Sequence, residues 1–197
     1  MFRPLSELLI GLTDLPIALF SILLGMMLKK KNQKEWSSVF LLIGIAGILG
    51  ATAHSLNLQK LPTIVIWCFL YPCLFESVRR YVLCFSSRLQ SKKEAELPFV
   101  FVAEIICFVG ALGTLVFCFE KNIDILFLVA FAAVEFVRLL LCLFRTKPLS
   151  KSALLLLILL LVPLSLQAFS AFIPYSVVAE HIFLAVELFL CARFALS

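Results

Sequence analysis

Residues 38–57 read SVFLLIGIAGILGATAHSLN, a stretch without a single Asp, Glu, Lys or Arg. A membrane-spanning helix needs about 20 consecutive apolar residues, so this stretch predicts a transmembrane helix. The whole chain has the same character, since 63% of its 197 residues are hydrophobic and its mean hydropathy is +1.12. Such values lie far outside the range of soluble domains and indicate an integral membrane protein.

The sequence predicts an all-α bundle of seven transmembrane helices that forms one domain over residues 1–197. The predicted spans cover residues 5–28, 38–57, 62–85, 98–119, 123–144, 152–173 and 175–196. Together with short loops they use nearly the whole chain, so any chemistry must lie among the helices. The first span is expected to be retained rather than cleaved as a signal peptide, because it carries Glu7 and Asp14 and is followed by three lysines.

The basic residues of the loops predict the orientation. Ten lie in the loops after the first, third and fifth spans, namely Lys29, Lys30, Lys31, Lys34, Arg88, Lys92, Lys93, Arg145, Lys147 and Lys151. Only Arg3, Lys60 and Lys121 lie on the other side. Cytoplasmic loops carry the excess of Lys and Arg, which places the amino terminus outside and the carboxyl terminus in the cytoplasm. The net charge of +5 therefore belongs to loops beside a lipid bilayer, and no nucleic-acid partner is expected.

The seven cysteines are scattered through the spans and form no CxxC pair. Zinc-ribbon and redox motifs require such spacing. We therefore expect the cysteines to pack as small apolar residues.

A stripe of small residues follows one face of the second span. Gly47, Gly50, Ala51 and His54 recur at i, i+3, i+4 and i+7, which is the period of one helical face. Small side chains allow another helix to approach closely. The sequence therefore predicts a packing surface at Gly47, Gly50 and Ala51 that directs His54 into the bundle.

Three ionisable residues are expected at similar depth in the outer half of the membrane. At 1.5 Å per residue, Asp14, His54 and His181 lie ~13, ~5 and ~9 Å from the outer ends of their spans. Two imidazoles and one carboxylate can hold zinc and leave a fourth position for an activated water. Alternatives are a structural His–Asp cluster, a haem site, a proton path or a bound organic ligand. Six supporting residues are expected around the three, namely Glu7, Thr13, Ser55, Gln167, Tyr175 and Glu180.

A second group of charged residues is expected in the inner half: Glu76, Arg79, Arg80, Glu104, Glu135, Arg138, Glu187 and Arg193. Glutamate and arginine three or four residues apart can neutralise each other on one helix, so a structural role is favoured. Glu104 and Glu187 have no such local partner. We expect these two carboxylates to reach an arginine on another helix.

Several of these residues occur in an order that resembles a known family. Thr13-Asp14, Trp36, the segment Gly50-Ala-Thr-Ala-His54 and Trp67 are similar to an uncharacterised family of bacterial seven-helix membrane proteins. The layout more distantly resembles the superfamily of alkaline ceramidases and progestin/adiponectin receptors. This resemblance implies a bacterial inner-membrane protein with zinc held by His54 and His181.

The chain also differs from that superfamily at three positions. It has Gly50 where the superfamily has a serine in the second helix, Thr63 near the position of an aspartate in the third, and Ala185 in place of a second histidine in the seventh. Asp14 is then the residue that could replace a missing ligand.

Three classes of function remain open from the sequence. The first is a metal-dependent hydrolase of a lipid amide or ester, with Asp14, His54 and His181 as the zinc ligands. The second is a non-catalytic receptor-like or scaffold protein with structural polar clusters. The third is a small transporter or proton-coupled carrier that uses Asp14, Glu104 and Glu135.

Overall fold

The structure is a computed structural model that describes residues 5–56, 58–88, 98–118, 124–145 and 176–196. Their side chains are described at 8–56, 58–87, 100–118, 126–141 and 181–196. The described residues form six helices: α1 (Leu5–Lys30), α2 (Lys34–Ser55), α3 (Lys60–Arg88), α4 (Pro98–Cys118), α5 (Asp124–Arg145) and α6 (Ser176–Leu196). Helix α6 corresponds to the seventh predicted span, and the sixth predicted span, 152–173, lies outside the described residues.

Four of the described helices are long and apolar enough to cross a membrane, at Leu8–Lys30, Lys34–Ser55, Lys60–Ser87 and Val100–Cys118. Large apolar side chains also point outward, including Leu19, Leu23 and Phe69. A helix that is apolar on its outer side as well as its inner side suits a lipid environment. The chain is therefore an all-α, multi-pass membrane protein, as predicted.

A tight turn joins α1 to α2. The Gln33 amide donates to the Leu28 carbonyl at 2.9 Å, and the Asn32 amide donates to the Lys29 carbonyl at 3.1 Å. Asn32 has a φ of 60°, a left-handed conformation that asparagine tolerates better than most residues. This is the Schellman arrangement that ends helices, and it folds α2 back along α1.

Helices α1 and α2 are antiparallel and pack through small residues. A Cβ atom built on Gly47 would lie 3.0 Å from the Ala18 Cβ and 3.2 Å from the Asp14 carbonyl oxygen. A Cβ atom on Gly11 would lie 3.2 Å from the Ala51 carbonyl oxygen. At the turn end of the pair, the Ser37 hydroxyl donates to the Gly25 carbonyl at 2.8 Å. The predicted surface of Gly47, Gly50 and Ala51 thus lies against α1.

Ring contacts give the directions of the other helices. His54 meets Trp67 and Trp36 meets Tyr81, so α3 runs antiparallel to α2. Phe194, near the end of α6, contacts Trp36 and Phe85, whereas His181, near its start, contacts Thr13. Helix α6 therefore runs parallel to α1 and α3.

The direction of α5 follows from its contacts with α3 and α4. Phe75 of α3 contacts Phe131, and Arg79, one turn later in α3, is in electrostatic range of Glu135, one turn later in α5. Helix α5 is therefore parallel to α3. In α4, Glu104 contacts Arg138 and Gly110 lies against Phe127, so α4 runs antiparallel to both.

Two apolar cores fill the bundle, and α3 contributes to both. The first joins α1, α2, α3 and α6 around Trp36, Phe85 and Cys191, and Leu139 of α5 also lies in it. The second joins α3, α4 and α5 around Tyr71, Phe75 and Phe131. Cys84, Cys107 and Cys191 are buried in these cores, which agrees with the packing role predicted for cysteine.

Replacing Gly47 with leucine should destabilise the protein by about 1–3 kcal/mol, because the new side chain would overpack the α1–α2 contact. The matched control is Gly113→Leu in α4, where a Cβ atom meets nothing within 4 Å. Thermal unfolding in detergent measures both. A Gly47→Leu protein as stable as Gly113→Leu would show that the α1–α2 contact tolerates a large side chain.

Candidate functional site: the histidine cluster and the buried ion pairs

Helices α1, α2 and α6 bring Thr13, Asp14, His54 and His181 into one region, which we call the histidine cluster. The Thr13 hydroxyl oxygen lies 2.7 Å from His181 Nδ1 and donates to the Ile10 carbonyl at 2.8 Å. A hydroxyl has one hydrogen, and that hydrogen is used on Ile10. With that hydrogen on Ile10, His181 Nδ1–H would be the donor to Thr13 and Nε2 of the neutral ring would carry the lone pair.

Asp14 faces the other ring nitrogen of His181, Nε2. Its Oδ1 atom lies 3.3 Å from His181 Nε2, whereas charge-assisted N–H···O bonds are ~2.7–2.9 Å long. Its Oδ2 atom is buried without a hydrogen-bond partner. A Cβ atom on Gly50 would lie 2.9 Å from Oδ2, so Gly50 leaves the room that this carboxylate occupies.

His54 is half-buried at the end of α2, one turn after Gly50. Its ring meets the edge of Trp67 with the centroids 5.7 Å apart and the planes at 86°. It is also in electrostatic range of His181. In the sequence, Trp67 stands out only through the family resemblance, because no residue spacing reveals an aromatic contact between two helices.

Of the six predicted supporting residues, Thr13 contacts His181 directly. Ser55 lies at the end of α2 against α1, where a Cβ atom on Gly11 would overlap the Ser55 hydroxyl. Glu7 and Glu180 lie in α1 and α6, and their side chains are outside the described residues. Gln167 and Tyr175 also lie outside the described residues.

In the histidine cluster, Asp14 and His181 are in contact, and His54 lies nearby. Among the side chains that the structure describes, no three His, Cys, Asp or Glu residues are grouped so that they could hold a metal ion. Asp14 and His181 face each other, and the ring of His54 rests against Trp67. The arrangement offers one imidazole nitrogen with a lone pair and one unpartnered carboxylate oxygen in a buried setting.

The inner charged residues form a separate buried cluster between α3, α4 and α5. Arg138 donates to Glu104, and its Nη1 atom lies 3.3 Å from Glu135 Oε2. These three side chains are at most 7% exposed. Buried charges are tolerated when they are paired. Helices α4 and α5 can therefore pack here because Glu104 and Glu135 neutralise Arg138.

Glu76 completes the cluster from α3. Arg79 donates to Glu76 from Nε at 2.8 Å and from Nη2 at 3.0 Å, and Arg80 Nε donates to the same carboxylate at 2.6 Å. The predicted ion pairs within α3 and within α5 are thus present. Glu104 also pairs with an arginine on another helix, Arg138 of α5, as predicted.

Glu187 differs from the prediction. It is buried in α6 at 5% exposure, and it pairs with no arginine among the described side chains. Its neighbours are Tyr81 and Cys191, whose own polar atoms lie 3.6 Å apart. The packing of α6 thus places Glu187 beside Tyr81 and Cys191 and not beside a described arginine.

Comparison with known proteins identifies one family. Residues 9–171 match the profile of DUF6962, described as a family of unknown function. The chain belongs to DUF6962. The match to DUF6962 includes Asp14, His54 and the Glu104–Arg138 pair, and it ends before α6. No curated protein and no solved structure matches this DUF6962 chain.

Replacing Arg138 with methionine should destabilise the protein by about 3–5 kcal/mol, since it leaves Glu104 and Glu135 buried without their cation. The control is Arg80→Met, which removes an arginine that is 44% exposed and should cost ~1 kcal/mol or less. Thermal unfolding in detergent separates the two. Equal effects would show that the Arg138 triad is no more important for stability than an exposed ion pair.

Proposed function

We propose that this DUF6962 protein is a zinc-dependent hydrolase of a lipid amide or ester, with Asp14, His54 and His181 as the metal ligands. Its ligand set is the one that the sequence predicts, two imidazoles and one carboxylate. The resemblance to alkaline ceramidases suggests the substrate class, and the membrane-embedded position of the cluster suits a substrate with acyl chains.

The observation that carries this proposal is the pairing of Asp14 with His181. Two atoms bound to tetrahedral zinc at ~2.0–2.1 Å are ~3.3 Å apart. The separation of Asp14 Oδ1 and His181 Nε2 is 3.3 Å, which is long for a charged hydrogen bond and correct for two ligands of one ion.

The surroundings of the pair support the same role. Metal-binding histidines usually donate their other ring N–H to a partner that fixes the tautomer, and the Thr13 hydroxyl lies 2.7 Å from His181 Nδ1, in position for that role. The unpartnered Oδ2 atom of Asp14 supplies further negative charge. His54 would be the third ligand, and its ring would leave the edge of Trp67 to join the pair.

Each residue then has a definite task. Asp14 and His181 would hold the ion with His54 as the third ligand, Thr13 would keep the lone pair of Nε2 directed at it, and Gly50 gives the carboxylate its space. When bound, zinc would supply a Lewis acid that polarises the substrate carbonyl and activates water at neutral pH.

The test is a zinc and activity comparison of purified variants. We expect about one zinc ion per wild-type chain, together with zinc-dependent release of fatty acid from a ceramide or a monoacylglycerol in detergent micelles. Asp14→Asn, His54→Ala and His181→Ala should lose both properties. Glu187→Gln is the matched control, because it makes the same carboxylate-to-amide change at another buried site, and it should keep both.

Wild-type protein that binds no zinc would refute the metal site. Zinc binding without hydrolysis of either lipid class would refute the enzyme and leave the metal site standing.

The alternative function is a non-catalytic receptor-like or scaffold protein, and one observation favours it. The contact between Asp14 and His181, with His54 against Trp67, is the arrangement of a structural polar cluster. In that case the zinc content of the wild type and of Asp14→Asn would be equally low, and Asp14→Asn would only be less stable.

We further propose the seven-span topology with the amino terminus outside. Helices α5 and α6 both run parallel to α3, so in a membrane the chain between them must cross an odd number of times. Residues 146–175 are too few for three crossings of about 20 residues each. One crossing at 152–173, the predicted sixth span, meets this requirement.

Cysteine-accessibility labelling in a background without native cysteines tests the topology. Single cysteines at Asn32, Lys92 and Thr146 should react only from the cytoplasmic side, and cysteines at Asn57 and Lys121 only from the outside. The charge asymmetry of the loops is the physical reason. Labelling of position 146 from outside would contradict the proposed orientation.

A further inference from the structure

A cavity of about 290 Å³ opens between α3, α4 and α5, beside the buried ion pairs. Its polar side is formed by Glu76, Arg79 and Glu104, and its apolar side by Phe75, Phe108 and Phe131. The centroid of the Phe75 ring lies 4.1 Å from that of Phe131 and 5.3 Å from that of Phe108. The cavity thus combines an aromatic wall with both signs of charge.

The charged groups of the wall retain unused hydrogen-bonding capacity. A guanidinium has five N–H donors, and the bonds of Arg79 to Glu76 use two of them. Glu104 accepts from Arg138 through Oε1, it lies beside the Glu135 carboxyl, and it also lines the cavity. Arg79 and Glu104 are in electrostatic range of each other across the cavity.

The charge balance of the cluster limits what can bind. Three carboxylates, on Glu76, Glu104 and Glu135, match three guanidinium groups, on Arg79, Arg80 and Arg138. A ligand with net charge would leave an uncompensated charge in a low-dielectric setting, which is costly. A ligand that carries one positive and one negative group avoids that penalty.

We infer that this cavity binds a zwitterionic phosphoester headgroup, with its phosphate on Arg79 and its ammonium group beside Glu104 and the phenylalanine rings. Guanidinium is well matched to phosphate geometry. Carboxylates and aromatic faces both attract alkylammonium groups. Glu76 bonds to Arg79 and so holds the guanidinium in position.

The position of the cavity favours a phospholipid as the source of the headgroup. Arg79 lies ~13 Å from the end of α3, and Glu104 lies ~9 Å from the start of α4, at the same end of the bundle. This depth lies inside the hydrocarbon region, so a lipid whose headgroup enters the cavity keeps its acyl chains in the bilayer. Ile105, which also lines the cavity, is 45% exposed, so the opening faces the lipid side. The histidine cluster lies toward the other end of the bundle.

Native mass spectrometry of the full chain in detergent tests the inference. The probes are phosphatidylcholine, phosphatidylethanolamine and phosphatidylglycerol with the same acyl chains, and free phosphocholine. We expect the two zwitterionic lipids to bind at least about tenfold more tightly than the anionic lipid, because a charged hydrogen bond contributes that much. If free phosphocholine bound as tightly as phosphatidylcholine, the recognition of the headgroup would be supported, and the natural ligand would be a soluble phosphoester instead of a lipid.

Two variants separate this site from general lipid adhesion. Arg79→Gln should weaken binding about tenfold, whereas Arg80→Gln, which changes the neighbouring arginine with the same partner outside the cavity wall, should leave it unchanged. Ile105→Trp should block the opening without a change of charge. The inference is overturned if phosphatidylglycerol binds as tightly as the zwitterionic lipids, if Arg79→Gln and Arg80→Gln behave alike, or if Ile105→Trp binds normally.

Discussion

The close approach of α1 and α2 is the contact on which the rest of the molecule depends. Glycine and alanine at the crossing bring the two backbones together, as at Gly47 and Ala18. Without a hydrophobic drive between helices in lipid, such packing is a main source of association. The same contact places the Asp14 carboxylate in the space beside Gly50 and brings it into line with α6. The position of Asp14 in the histidine cluster therefore depends on the small residues that let α1 and α2 approach each other.

Charge pairing is the second constraint, and it organises the other half of the bundle. Arg138 can be buried only because Glu104 and Glu135 lie beside it, and these residues come from two different helices. The pairing fixes α4 against α5 in the same way that the small residues fix α1 against α2. Helix α3 joins the two halves, since it contributes to both apolar cores. Each polar cluster is thus held by a different kind of interaction, and each sits beside its own group of aromatic rings.

Much of this could be predicted from the sequence, because lipid imposes strong rules on composition. The lengths of the apolar stretches predicted the ends of the described helices to within a few residues. The stripe of Gly47, Gly50 and Ala51 indicated a packing surface. Local spacing indicated the pairs of Glu76 and Glu135 with nearby arginines. Contacts between helices that are far apart in the sequence could not be predicted in this way. Glu187 was expected to meet an arginine, and its true neighbours follow from how α6 packs, which no local pattern encodes. The aromatic cavity and the Trp67–His54 contact depend on tertiary geometry in the same way.

X-ray absorption at the zinc edge would show whether Asp14, His54 and His181 form one metal site, as we propose. In zinc-loaded protein we expect a first shell of nitrogen and oxygen at ~2.0–2.2 Å with imidazole scattering from two histidines. The chain holds seven cysteines, so zinc bound elsewhere would show sulfur at ~2.3 Å. A sulfur shell, or a spectrum without imidazole scattering, would refute a zinc site at these three residues.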